Sequence, residues 1–315
     1  MKLIKTRQFI PIILVTIVLF ILGAIFDKDV SANFYVNSSL WQFGVMYSNI
    51  ALSAFFFILL IAASSGLWCL LDKKNKYSKK IKIIFSIILI LGGAYLLYQS
   101  FDKMQDTAPV IGKTGSLIFA ILMTLAVLGA SIYVGYRFHN KYNNRKLFVY
   151  VVVFLAIVLV SNGIMEGLKF LWSRPRPWYV FGNWEVEAHL GAFRNVWEAK
   201  PFELFKIKEI KDYLKSFPSN HTCNAAILLP GVLLYSKLNK GLDNDKCRTL
   251  IILGSFLFTL LMASTRMMAG AHFLSDVSFG MFVGTMTAYF GFIIANKVLS
   301  SPRFSDEPAL DNIKE

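Results

Sequence analysis

Charge is scarce in this chain. Only 17% of the 315 residues are charged, 56% are hydrophobic, and the mean hydropathy is +0.54. A soluble globular domain carries about 25% charged residues, so an ordinary water-soluble fold is excluded and an integral membrane protein is expected. Cysteine is nearly absent. Cys69, Cys223 and Cys247 are odd in number, sit in or beside apolar runs and lack metal-ligand spacing, which argues against a disulfide framework and against a metal site. No internal repeat or low-complexity segment is evident. Acidic residues are outnumbered 19 to 33, leaving a formal charge of +14. A nucleic-acid surface would gather those cations on one exposed face, whereas here most lie in short connections between apolar runs. The charge reads as membrane topology, and no nucleic-acid partner is expected.

A transmembrane helix needs about 20 apolar residues. Eight runs approach that length, near residues 9–26, 48–71, 83–98, 114–136, 147–168, 221–236, 249–264 and 277–296. The expected fold is therefore all-α, a polytopic bundle of about eight membrane helices forming one domain over residues 1–315. The third, sixth and seventh runs are short, which tilt or local thinning of the bilayer accommodates. With both termini cytoplasmic, the inner segments hold 20 of the 33 basic residues, as the positive-inside rule requires. The first run follows Lys2, Lys5 and Arg7 and precedes a cleavage-like Val30-Ser31-Ala32, yet Asp27, Lys28 and Asp29 intervene. An uncleaved signal anchor is expected. Residues 299–315 read as a cytoplasmic tail.

The outer segment from 169 to 220 is too long for a simple connection, and long connections between membrane helices are commonly functional. Trp172, Trp178, Tyr179, Phe181, Trp184 and Trp197 suit an interfacial belt. Leu204, Ile207, Ile210 and Leu214 have helical spacing with lysines on other faces, which fits a helix on the outer leaflet or a lid on the bundle.

Three polar blocks stand out against this background. They read Lys169-x6-Arg176-Pro177, Pro218-Ser219-Asn220-His221 and Thr265-Arg266-x5-His272-x3-Asp276, and the span order puts all three at the outer face. Apart from Glu166, near the end of the fifth run, the charged groups cluster at helix ends. Phosphoryl transfer spreads charge over equatorial oxygens, so a site without a metal must supply fixed cations and N–H donors. Lys169, Arg176 and Arg266 are suited to this, the arginines through a planar fork and Lys169 as a point charge. Interfacial anchoring is the alternative for each cation alone.

The histidines add the reactive groups. His272 and Asp276 are four residues apart, so on a shared helical start the carboxylate would accept Nδ1–H and leave Nε2 as the nucleophile. Helix capping is the other role open to Asp276. His221 follows a Pro-Ser pair at the start of the sixth run, where helix N–H groups and the Ser219 hydroxyl suit an anion and the imidazole suits a general acid. His139 and His189 have no such setting.

Together the blocks resemble the signature K-x6-RP, PSGH and SR-x5-H-x3-D of the type 2 phosphatidic acid phosphatase (PAP2) superfamily, also called lipid phosphate phosphatases, over roughly residues 147–298. The resemblance implies a six-helix core, here preceded by an extra N-terminal hairpin. It implies His272 as nucleophile forming a phosphohistidine, Asp276 orienting it, and His221 as general acid. Lys169, Arg176, Ser219, Arg266 and the backbone N–H of Asn220 would hold the phosphoryl oxygens. The family needs no metal or other cofactor. Arg174-Pro175 duplicates the RP pair two residues early, and the x6 spacing selects Arg176. Asn220 replaces the family glycine and Thr265 its serine, the first placing a side chain where backbone approaches an oxyanion.

The expected activity is hydrolysis of a lipid phosphate or diphosphate at the outer face of a cell membrane, with phosphatidic acid, phosphatidylglycerol phosphate and undecaprenyl diphosphate all fitting. A bacterial membrane is favoured because Asn220-His221-Thr222 would be a glycosylation sequon in the site. The rivals are a lipid phosphotransferase using the same residues and a non-enzymatic polytopic transporter.

Overall fold

The computed structural model describes residues 9–35, 38–71, 108–141, 144–181, 193–205, 212–228 and 245–301, with isolated positions between 81 and 95. Among the described residues all regular structure is helical. The helices are α1 (Ile10–Tyr35), α2 (Ser38–Leu71), α3 (Ala108–Lys141), α4 (Asn144–Trp172) and the short α5 (Pro177–Phe181). They are followed by a 3-10 turn (Glu203–Phe205), a helical stretch over residues 220–228 that we label α6, then α7 (Asp245–Met268) and α8 (Leu274–Leu299).

Four stretches of the described residues are long and apolar enough to cross a membrane: Ile10–Phe34, Arg145–Phe181, Lys246–Met268 and Leu274–Leu299. These apolar helices mark a membrane protein. Much of their surface is unburied by protein, including Leu14, Val18, Ile21 and Ile25 on α1 and Leu159 and Val160 on α4. A helix apolar around its whole circumference belongs in lipid. Parts of the expected third and sixth spans, residues 206–211 with Ile207 and Ile210, Trp184, and the tail beyond residue 301 lie outside the described residues.

Helices outrun the apolar runs that announced them. Helix α1 continues through Asp27 to Tyr35, and α2 begins at Ser38, ten residues before its apolar run. Backbone hydrogen bonding continues wherever φ and ψ permit, while hydropathy reports only the stretch in hydrocarbon.

The chain forms two compact units. One comprises residues 1–3, 56–155 and 291–315. In it Ser64 of α2 donates to the Ile132 carbonyl of α3 (3.4 Å), and the Trp68 and Tyr136 rings meet edge to face at 5.1 Å. The other, residues 4–55 and 156–290, contains all three polar blocks.

In that second unit α8 carries Gly280-x3-Gly284. A Cβ on Gly280 would fall 2.5 Å from the Ser219 carbonyl oxygen, and one on Gly284 would fall 2.5 Å from the Cys223 carbonyl oxygen. Small residues four apart let two membrane helices approach to backbone contact. This seam holds the N-terminal turn of α6 against α8. Polar contacts add to it, with Asn162 of α4 donating to Asn224 of α6 at 2.9 Å and Ser161 of α4 to Thr287 of α8 at 2.7 Å. Each such bond is worth about 0.6 kcal/mol in a membrane bundle. On the other side of α8, Val277 and Met281 pack with Ala263 and Met267 of α7, and Val30 and Phe34 of α1 close over them.

Candidate active site

The first block begins where α4 stops. Ser173 adopts a left-handed conformation (φ 43°) and returns its N–H to the Lys169 carbonyl at 3.0 Å, a helix ending that glycine more often makes. The last carbonyls of α4 then need partners. Lys200 N–H serves Trp172 (3.2 Å), Phe202 N–H serves Phe170 (2.7 Å), and the Arg194 guanidinium serves Ser173 (3.1 Å). The segment that follows α4 is thereby tied to its end.

Backbone hydrogen bonds next stitch the three blocks together. Arg176 N–H donates to the Tyr213 carbonyl (2.8 Å) and Ser216 N–H to the Arg174 carbonyl (3.0 Å), joining the first block to the approach to the second. Trp178 N–H donates to Gly270 (2.9 Å), joining first to third, and Ser219 N–H donates to Asp276 (3.1 Å), joining second to third. Of the rings expected at an interface, Trp172 packs on Phe217, Trp178 and Tyr179 pack on Tyr213, and Phe181 meets Phe273. Trp197 is exposed.

His272 lies in the turn between α7 and α8, buried to 3% exposure, after Gly270 at φ 61°. Its Nδ1 is 2.6 Å from the Ser216 carbonyl oxygen. A carbonyl only accepts, so Nδ1 carries the proton and Nε2 keeps its lone pair. The direct Asp276–His272 bond expected from the i,i+4 spacing is absent. Helix α8 begins at Leu274, so His272 stands outside it and the two side chains share no helical face.

Asp276 is instead engaged on three other donors. Its Oδ2 accepts from the backbone N–H of Phe273 (2.8 Å) and from the Ser216 hydroxyl (2.5 Å), and its Oδ1 accepts from Arg174 (2.5 Å). The Phe273 bond is half of a capping box, with the third helical residue reaching back to the N-cap. The Ser216 bond reaches His272 indirectly, because Ser216 supplies the carbonyl that meets the ring.

Arg174, set aside by the motif spacing, is wholly buried. It lies over the Phe273 ring (4.2 Å) and bridges two carboxylates, Asp276 and Asp27 of α1, the latter at 2.9 Å. Asp27 also accepts from the Ser275 backbone N–H (2.9 Å) and from the Ser275 hydroxyl. A carboxylate near the end of a membrane helix was the one available signal for Asp27, and the repeated RP pair the one for Arg174.

Two of the candidate phosphate ligands, Arg176 and Arg266, lie within electrostatic range of His272. Lys169, Ser219 and Arg266 are buried. The charges of Arg266, Arg176 and His221 all act on His272, and Lys169 lies within electrostatic range of Arg176. The Arg176 Nε is buried and has no hydrogen-bond partner among the described residues. Burial first, then the nearby Arg266, Arg176 and His221, holds the His272 imidazole well below its ordinary pKa against the opposing Ser216 bond. It is neutral at physiological pH. Two side chains are committed elsewhere: the Ser219 hydroxyl shares a hydrogen bond with Thr222 (3.0 Å), and Thr265 donates to the Met262 carbonyl (2.9 Å). Asn220 donates through its amide to Glu166, which Lys169 also meets.

Residues 150–299 match the sequence model of the PAP2 superfamily. The match covers 150 of the 315 residues. Searches of curated proteins and of solved structures return no match. The match points to phosphatase activity on phosphate esters, and the matched region contains every residue of the three blocks. Asp27 lies outside it.

Proposed function

We propose that the protein is a membrane phosphatase that hydrolyses a lipid phosphate or diphosphate through a phosphohistidine on His272, at the extracytoplasmic face. The observation that carries this reading is the 2.6 Å contact between His272 Nδ1 and the Ser216 carbonyl, which holds a neutral imidazole with Nε2 available as a nucleophile. In the first step Nε2 attacks phosphorus, the P–O bond to the lipid breaks, and His221 gives its proton to the departing oxygen. Lys169, Arg176 and Arg266 take up the charge on the equatorial oxygens, helped by the backbone N–H of Asn220 at the start of α6. In the second step His221 accepts a proton from water, the hydroxide attacks phosphorus, and the P–N bond breaks to release inorganic phosphate.

Asp276 acts on His272 at one remove, by fixing Ser216 and the N–H of Phe273. The apolar surfaces of α1, α4 and α8 support an amphiphilic substrate whose tail stays in lipid while its phosphate enters between helix ends.

The test is phosphate release from a panel of mono- and diphosphate lipids in detergent micelles, with label trapped on the protein. Wild type should accumulate alkali-stable, acid-labile phosphoprotein, and His272→Ala should release no phosphate and trap no label. Full turnover by His272→Ala would end the nucleophile assignment. Label passing to a lipid acceptor without free phosphate would make the protein a phosphotransferase.

A further inference from the structure

One carboxylate already occupies donors that a phosphate would need. Glu166 lies one turn before Lys169 on α4, and its Oε1 accepts from Lys169 Nζ at 2.8 Å and from the Asn220 amide at 2.5 Å. Lys215 adds positive charge within electrostatic range of both Glu166 and Lys169. Lys169 is buried, with 11% of its side chain exposed, whereas the Glu166 side chain is 48% exposed. The cation is therefore held in place while the carboxylate sits at the rim on a flexible stem, able to rotate outward without opening the core.

We infer that Glu166 is a specificity gate of the phosphate site, an internal anion that holds Lys169 and Asn220 at rest and that the phosphoryl group must displace. The inference rests on the proposed role of Lys169 and Asn220 in binding phosphate. Lys169 has three N–H donors and the Asn220 amide two, so the competition is electrostatic: phosphoryl oxygens drawn to Lys169 meet the Glu166 carboxylate as a second anion at the same cation. Asn220 is what makes the gate two-handed. A glycine at that position would leave Lys169 as the single donor on the Glu166 oxygen, whereas the asparagine amide supplies a second. When the P–N bond breaks, the returning carboxylate opposes retention of inorganic phosphate, so the gate weakens product binding along with substrate binding. The shared chemistry is the phosphoryl oxyanion, whether borne by a lipid or free in water.

The experiment compares full-length wild type with Glu166→Gln in detergent. Glutamine keeps an oxygen that can accept both hydrogen bonds and removes only the charge. The readouts are the equilibrium affinity for inorganic phosphate and the KM for a lipid monophosphate in mixed micelles. Even with water-like screening, removing a unit charge about 5 Å from a phosphate dianion changes affinity about tenfold. The expected result is about tenfold tighter phosphate binding together with a lower KM for the lipid. Unchanged or weaker phosphate binding by Glu166→Gln overturns the gate, and so does a KM change confined to the lipid. Glu166→Ala supplies the same comparison should the glutamine variant not fold. Absence of phosphate binding by wild type and by both variants would instead sink the reading of the site on which the gate depends.

Discussion

Arg174 offers the most demanding test of how the site is held. It is buried between Asp27 at 2.9 Å and Asp276 at 2.5 Å, so one guanidinium serves two carboxylates. At an effective dielectric near 20, each contact corresponds to about 6 kcal/mol of attraction, set against several kcal/mol of desolvation for each ion. The net value of such a cluster is small, but removing its centre is costly, because two carboxylates are left facing each other without a cation. Breaking a buried pair from one side costs about 3–5 kcal/mol. We therefore expect Arg174→Met to lose at least that much stability and, because Asp276 would release Ser216, most of the activity. Asp27→Asn should behave differently. It removes the surplus negative charge, leaves the Arg174–Asp276 pair intact, and keeps an oxygen for the Ser275 N–H, so its cost should stay near 1 kcal/mol. Thermal unfolding in detergent, read with phosphate release, measures both. Equal losses in the two variants, or an Arg174→Met protein as stable as wild type, would refute the account of the cluster.

Two further outcomes follow from the same geometry. Because His272 binds a proton less readily folded than unfolded, acid favours the unfolded chain: stability should be level above about pH 6.5 and fall as pH drops below it. The His272→Asn variant should lose that part of the slope, and an identical pH dependence in wild type and variant would count against a neutral buried imidazole. Gly280→Ala places a methyl 2.5 Å from the Ser219 carbonyl oxygen, so α6 must move away from α8. Activity should drop at least tenfold with a lowered unfolding temperature, the loss expected of overpacking by about 1–3 kcal/mol, and a fully active variant would show that the seam does not position Ser219.

Much of the helical content could be read from apolar run length, because a backbone in hydrocarbon must satisfy its own hydrogen bonds and a helix does so within one segment. The candidate site residues were legible because three blocks with fixed internal spacing are improbable together. The partner of His272 Nδ1 was not. It is the carbonyl of Ser216, and every residue has a carbonyl, so no side-chain pattern marks the one that matters. The i,i+4 argument for Asp276 failed for a related reason, since spacing carries facial information only inside a helix and α8 begins two residues after His272. The Gly280-x3-Gly284 seam is visible in the sequence, but its partner carbonyls at Ser219 and Cys223 are not.

By itself, the sequence determined that this is a helical membrane protein with candidate phosphate-site residues in three ordered blocks, because hydropathy and local spacing are properties of neighbours along the chain. Only the tertiary structure decided which charges pair. Asp27 meets Arg174 across 147 residues, and Arg174 meets Asp276 across 102. A buried charge takes whichever opposite charge the packing of helices brings within about 3 Å, and that distance is written in three dimensions only.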